Sequence, residues 1–196
     1  MMKPFKLICG KAIPLDIINV DTDQIIPKQF LKMVKKEGYG EFLFYSWRYL
    51  ENGRPSTDFV LNDEKYAGRR ILLTRENFGS GSSREHAVWA LRDFGVIVLI
   101  APSFADIFYN NCFKNGLLPV RLKHHEVEFL FKKSEDGDIT VDLDRQEIVC
   151  CDHAFSFQIS SFHKMMLTQG LDEIGLTVGM ESAIRSYEAK RGLSSV

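Results

Sequence analysis

The chain has 196 residues, 45% of them hydrophobic and 26% charged, enough to bury one substantial core. Its net charge of −1, with both signs interspersed, gives no electrostatic reason to expect nucleic acid or an anionic membrane as a partner. No apolar run approaches the roughly 20 residues of a membrane span, and Met1-Met2-Lys3-Pro4-Phe5 lacks the hydrophobic stretch of a signal peptide, so a cytoplasmic location is expected.

A strand is predicted around Phe5-Lys6-Leu7-Ile8, followed by a connection punctuated by Pro14 that leads into a loop at Asp21-Thr22-Asp23. The aromatic-rich stretch 41–47 predicts a short helix, which Asn52-Gly53-Arg54-Pro55 breaks. Arg70-Ile71-Leu72-Leu73-Thr74 is short, apolar and bounded by polar residues, as a buried strand would be. Ala87, Val88, Ala90, Leu91 and Phe94 then have helical spacing, and the β-branched run 96–100 predicts another strand. Ser103 reads as the N-cap of a helix running to about Cys112, with Asn115-Gly116 as its terminator. Beyond it, 126–133 predicts a helix, 139–143, 147–149 and 155–159 predict strands, and 179–190 predicts a terminal helix. No repeat, low-complexity segment or linker interrupts this order, so one α/β domain spanning 1–196 is expected.

The densest chemistry lies between the strand ending at Thr74 and the helix that follows, in Phe78-Gly79-Ser80-Gly81-Ser82-Ser83-Arg84-Glu85-His86-Ala87. A loop at a helix N-terminus gathers free backbone N–H groups and the positive end of the helix dipole, and Arg84 adds a forked cation suited to a carboxylate. An anionic ligand fits such a loop. Ser82 and Glu85 also have the spacing of a capping box, which by itself requires no function. A dinucleotide turn is excluded: the third glycine position of a GxGxxG pattern is Arg84, and the next strand ends in Ala101-Pro102 rather than in a ribose-binding acid. Gly79 and Gly81 fit as positions where the backbone turns sharply and leaves a ligand room.

Cys9, Cys112, Cys150 and Cys151 show neither CxxC spacing nor a paired histidine motif, and the adjacent pair Cys150-Cys151 reads as structural. The five histidines have no ligand-like spacing either, so no metal site is expected in this chain.

The FGSGSSREHA segment, together with 19–31 upstream, 100–108 downstream and 170–177 near the C-terminus, resembles the small subunits of bacterial 3-isopropylmalate dehydratase (isopropylmalate isomerase), within the aconitase superfamily. The resemblance covers nearly the whole chain and implies a single swivelling β/β/α domain of the aconitase C-terminal type. It implies a hydro-lyase of leucine biosynthesis that isomerises 2-isopropylmalate to 3-isopropylmalate by dehydration and rehydration. It also implies a separate large subunit carrying a [4Fe–4S] cluster, since the cysteines here form no recognisable ligand set, and a small dicarboxylate as substrate.

By the same similarity Ser82 is the catalytic base, while Ser83 and Arg84 hold a substrate carboxylate. Thr22 and Asp23 match a motif that reaches the active site. Phe30 and Leu31 fall in a specificity loop, where an apolar pair suits an isopropyl group. A position at the helix N-cap would help stabilise a Ser82 alkoxide. Glu85 and His86 are explained by capping and packing, and Ser80 by scaffolding. A homoaconitase or citraconate-type hydratase small subunit, or a non-catalytic binding module of the same fold, would share much of this pattern. Near-neutral charge and an intact Ser82-Ser83-Arg84 speak against an RNA-binding module.

Overall fold

The computed structural model describes residues 3–32 and 37–191. In chain order the elements are β1 (Leu7–Gly10), β2 (Ala12–Leu15), α1 (Thr22–Ile25), α2 (Tyr45–Arg48), β3 (Ile71–Thr74), α3 (Glu85–Phe94), β4 (Val98–Ala101), α4 (Asp106–Lys114), β5 (Leu118–Arg121) and α5 (His124–Lys133). They continue through β6 (Ile139–Asp142), β7 (Glu147–Cys150), β8 (His153–Ser156), α6 (Ser161–Gln169), α7 (Glu173–Gly179) and α8 (Glu181–Arg191). Short 3-10 turns occupy Lys28–Phe30, Tyr39–Phe42, Val60–Asn62 and Glu64–Tyr66.

Two four-stranded sheets result. β2, β3, β4 and β5 lie side by side in that order, all parallel, while β1, β6, β7 and β8 form an antiparallel sheet. Parallel neighbours need a crossover rather than a tight turn, and α3 and α4 provide it for β3, β4 and β5.

Alternation along each strand divides the apolar side chains between two cores. Leu72 and Leu99 join Ala87, Val88 and Leu91 of α3 and Phe108 and Cys112 of α4. Ile71, Leu73, Val98 and Ile100 face the other way, onto Val127 and Leu130 of α5 and Ile139, Val141 and Ile148 of the antiparallel sheet. The parallel sheet is therefore the middle layer. Burial on both faces explains why Ile71-Leu72-Leu73 of β3 and the whole of β4 are apolar runs in the sequence.

Several boundaries differ from the sequence expectation. Pro14 lies inside β2 rather than in a connection, because β2 is an edge strand; Pro119 sits likewise in β5 at the opposite edge. The helix expected over 41–47 divides into the Tyr39–Phe42 turn and the single turn α2, since Phe44 takes φ +50° between them. Ser103 does not cap α4, whose N-cap is Ala105; its Oγ instead accepts the Asn77 N–H at 2.8 Å. The terminal helix expected over 179–190 is present as α8, beginning at Glu181, and α7 is a separate helix before it.

The C-terminal end of α3 is tied to the Tyr39–Phe42 turn. Asp93 Oδ2 accepts the N–H groups of Gly38 and Gly40 at 2.8 and 2.9 Å, and a β-carbon on Gly40 would lie 2.7 Å from the Phe94 backbone nitrogen. Gly40→Ala should thus destabilise the chain by about 1–3 kcal/mol, the usual cost of overpacking against atoms that cannot give way. A urea midpoint unchanged from wild type would show that the turn can move off the helix.

Candidate active site

Three loops leave the C-terminal ends of β2, β3 and β4, where open α/β sheets place their ligands. Hydrogen bonds fasten them together. The N–H groups of Gly79 and Ser80 donate to the Val20 carbonyl at 2.7 and 3.2 Å, and Thr22 N–H donates to the Ser80 carbonyl at 2.9 Å. On the other side Phe78 N–H donates to Ser103 O at 3.2 Å and Ala105 N–H to Phe78 O at 3.0 Å. The loop after β3 is held between its two neighbours by bridges pairing Asp21 with Ser80 and Phe78 with Phe104.

Thr22 is buried, and its Oγ1 donates to the Ser82 carbonyl at 2.9 Å. In the isolated chain Thr22 thus positions the serine loop. Asp21 caps α1 in a reciprocal box with Gln24. Gly79 adopts φ +78° and Gly81 φ +86°. At Gly79 a second demand applies, because a β-carbon would stand 2.2 Å from the Phe108 ring.

Ser82 and Ser83 are exposed on a cavity of about 300 Å³, walled by Thr22, Gly79, Gly81 and Arg84 on one side and residues 105–108 on the other. The N-terminal ends of α3 and α4 both meet it, so their dipoles favour negative charge in the same space. A larger groove of about 750 Å³ lies outside β5 and β8 and shares no lining residue with it. The larger groove also has a forked cation, Arg121, and an exposed hydroxyl, Ser156; the smaller cavity is selected by its two adjacent hydroxyls at the meeting point of the α3 and α4 N-termini.

The loop differs from expectation in two respects. Ser82 is not the N-cap of α3: that position is Arg84, in an extended conformation and without a side-chain cap bond. The Ser82–Glu85 capping box does not form, because Ser82 stands two residues too far out and Glu85 Oε1 accepts from Asn115 Nδ2 at 2.8 Å. Secondly, the Arg84 fork already holds a carboxylate. Its Nη1 and Nη2 donate to the two oxygens of Asp23, the second at 3.0 Å, and Lys28 Nζ approaches the same carboxylate at 3.8 Å.

The hydrogen bond from Arg84 holds the Asp23 carboxyl below its ordinary value near 3.8. A depressed folded-state pKa contributes stability above the unfolded pKa, and that contribution disappears as pH falls through the folded value. Asp23 is 44% exposed, so the pair contributes no more than about 1 kcal/mol. Asp23→Asn should therefore be slightly less stable than wild type at pH 7, with the difference closing below about pH 4. A difference undiminished between pH 7 and pH 3 would locate the effect in packing rather than charge.

Phe30 and Leu31 do not line the cavity. The Phe30 ring stacks on Phe42, with centroids 4.1 Å apart, and tilts against Tyr45; Leu31 packs beside the same core. His86 lies against Trp89 and Tyr39, and burial lowers its pKa, which keeps the ring neutral as a packing group. Sequence reasoning left residues 105–108 unassigned although they form one wall, with Ile107 exposed. Their position just after a buried strand, with a helix following, was the available signal. Among the described residues no three His, Cys, Asp or Glu side chains gather as metal ligands, and no helix is long and apolar enough to cross a membrane.

Comparison with known proteins gives this loop its context. Residues 2–125 match the family model described as the aconitase C-terminal domain. The chain is 53% identical over 193 residues to the 3-isopropylmalate dehydratase small subunit of Geobacillus kaustophilus, covering 96% of this chain and 98% of that one. The chain belongs to this family. It is 50% identical over 196 residues to the small subunit of the same name from Brevibacillus brevis, covering 97% and 100%. The crystal structure of 3-isopropylmalate dehydratase from Methanocaldococcus jannaschii aligns with a TM-score of 0.68 at 27% identity, over 93% of this chain and 99% of that one. The fold is that of the aconitase C-terminal domain, and its relatives' names describe a subunit with a larger partner.

Proposed function

We propose that the chain is the small subunit of a cytoplasmic 3-isopropylmalate dehydratase, a hydro-lyase of leucine biosynthesis, and that it acts as one swivelling domain against a large subunit. The reaction removes a proton and a hydroxyl from neighbouring carbons of 2-isopropylmalate, giving an alkene and water. Water then returns with the hydroxyl on the other carbon. The observation that carries this reading is the pair of exposed hydroxyls, Ser82 and Ser83, on a cavity where two helix N-termini and Arg84 converge, in a chain that matches such subunits along nearly its full length.

Ser82 Oγ is the base that takes the carbon-bound proton. With no cap bond to Ser82, its alkoxide is favoured by the field of the α3 and α4 N-termini and by nearby Arg84 rather than by direct helix N–H donors. Ser83 and Arg84 receive a substrate carboxylate. Asp23 now occupies the Arg84 fork, so the substrate displaces it or shares the cation with it. The cysteines of this chain do not fit an iron–sulfur cluster, since they form no three-ligand group among the described residues. A [4Fe–4S] cluster on the large subunit would supply the Lewis acid for the hydroxyl.

Phe30 and Leu31 read the variable arm of the substrate once the large subunit closes over the loop. Leu31→Arg would then set a cation against the isopropyl group, so the efficiency ratio of isopropylmalate to a homoaconitate-type substrate should fall at least tenfold. An unchanged ratio with a stable complex would place specificity elsewhere.

The reading as a whole is tested by mixing the purified chain with a candidate large subunit bearing an intact cluster and assaying 2-isopropylmalate anaerobically. Turnover should require both chains. Turnover by this chain alone, or turnover by the pair restricted to homoaconitate-type or citraconate-type substrates, would overturn it.

A further inference from the structure

β7 and β8 are joined by the two-residue turn Cys151-Asp152, with Cys150 paired across it to His153. Tight hairpin turns require positive φ, which glycine and asparagine adopt at least cost, yet here a cysteine holds φ +53°. In this conformation Cys151 Sγ stands 4.0 Å from Cys150 Sγ, and both thiols are free. Gly137 faces the pair: a β-carbon there would lie 3.0 Å from Cys151 Sγ and 3.4 Å from Cys150 Sγ. The lack of a side chain at 137 leaves the sulfurs their space. Cys150 is buried and Cys151 exposed, so the pair opens to solvent on one side.

At 4.0 Å the two free sulfurs are in ordinary van der Waals contact. Closing to a disulfide would bring them to about 2.05 Å. One atom bound to both needs a much smaller approach: about 3.8 Å for a tetrahedral centre with bonds of about 2.3 Å, and somewhat less for a pyramidal trivalent one. Thiolates favour soft partners. Burial and the neighbouring thiol push Cys150 up to about 11, which leaves it protonated and slow in disulfide exchange. No third His, Cys, Asp or Glu completes a ligand set among the described residues, so a four-ligand structural zinc is excluded. A trivalent metalloid bringing its own third substituent needs only two sulfurs.

We propose that Cys150 and Cys151 form a dithiol site for thiophilic trivalent metalloids of the organoarsenic(III) class. With an arsenoso compound, R–As=O, two S–H bonds break and two As–S bonds form, while the oxygen leaves with both protons as water. Arsenic stays trivalent, and nothing is oxidised or reduced. The site lies where Ile139 pairs with both Cys150 and Gly10, beside the start of β2. The serine cavity is at the other end of the parallel strands.

The probe is phenylarsine oxide, added to the folded, reduced chain in excess 2-mercaptoethanol and followed by native mass spectrometry. Wild type should take up one phenylarsine per chain and release it to dithiothreitol. Cys151→Ser, at the exposed position, should weaken uptake at least about 100-fold, because the second As–S bond is intramolecular. Cys150→Ser should do the same, and Cys9→Ser should bind as wild type. Uptake by Cys151→Ser equal to wild type, or no uptake by wild type, overturns the proposal.

Discussion

Ser82→Ala is expected to lower 2-isopropylmalate turnover in the assembled complex by at least 10² to 10⁴, the range typical of a deleted general base. Stability should be nearly unchanged. The side chain is exposed and caps no helix, and the bond from Thr22 Oγ1 reaches the Ser82 carbonyl, which the substitution leaves in place. Surface changes of this kind stay within about 0.5 kcal/mol. The Michaelis constant should move less than the turnover number, because Ser83 and Arg84 retain their places. Near-wild-type turnover in a variant that assembles normally would remove Ser82 from the chemistry and leave it a role only in shaping the loop.

Gly79→Ala should be the most destabilising single-methyl change in the site, by about 2–5 kcal/mol. Positive φ costs an ordinary residue about 1–2 kcal/mol, and overpacking about 1–3 more. The added carbon would lie 2.2, 2.5 and 2.7 Å from Cγ, Cδ1 and Cβ of Phe108. That ring cannot easily retreat, since it is 3% exposed and packed edge-on against Phe78. A loss of this size is a large part of a typical 5–15 kcal/mol, so the variant should fold with a lowered urea midpoint and a displaced serine loop. Combining it with Phe108→Ala tests the cause. The contacts with Cγ and Cδ1 are then removed while that with the residue 108 Cβ and the φ strain remain, so the double variant should lose less than the two single losses added together. Strict additivity would mean that Phe108 is not what Gly79 avoids.

The parts of this molecule that were legible from sequence are those decided within a few residues. The strand before the serine loop and the helix after it follow from the apolar run at 71–73 and the spacing of Ala87, Val88 and Leu91, and both are present as β3 and α3. The motif that carries the family resemblance is equally local, and the aconitase C-terminal fold it implied is the one found. Pro14 was misread because proline's tolerance in a strand depends on which side has a neighbour, and only the strand order makes β2 an edge.

The cap of α3 could not be chosen from Ser82-x-x-Glu85 alone, since Asn115, 30 residues away, competes for the glutamate. The Arg84 fork met Asp23 across 61 residues of chain, and Phe30 found Phe42 rather than the cavity. Local spacing therefore determined which residue types could form strand, helix and anion-binding turn. Packing of distant segments decided what each polar and aromatic side chain touches, because hydrogen-bond partners and ring contacts are set by proximity in space, which no local period encodes.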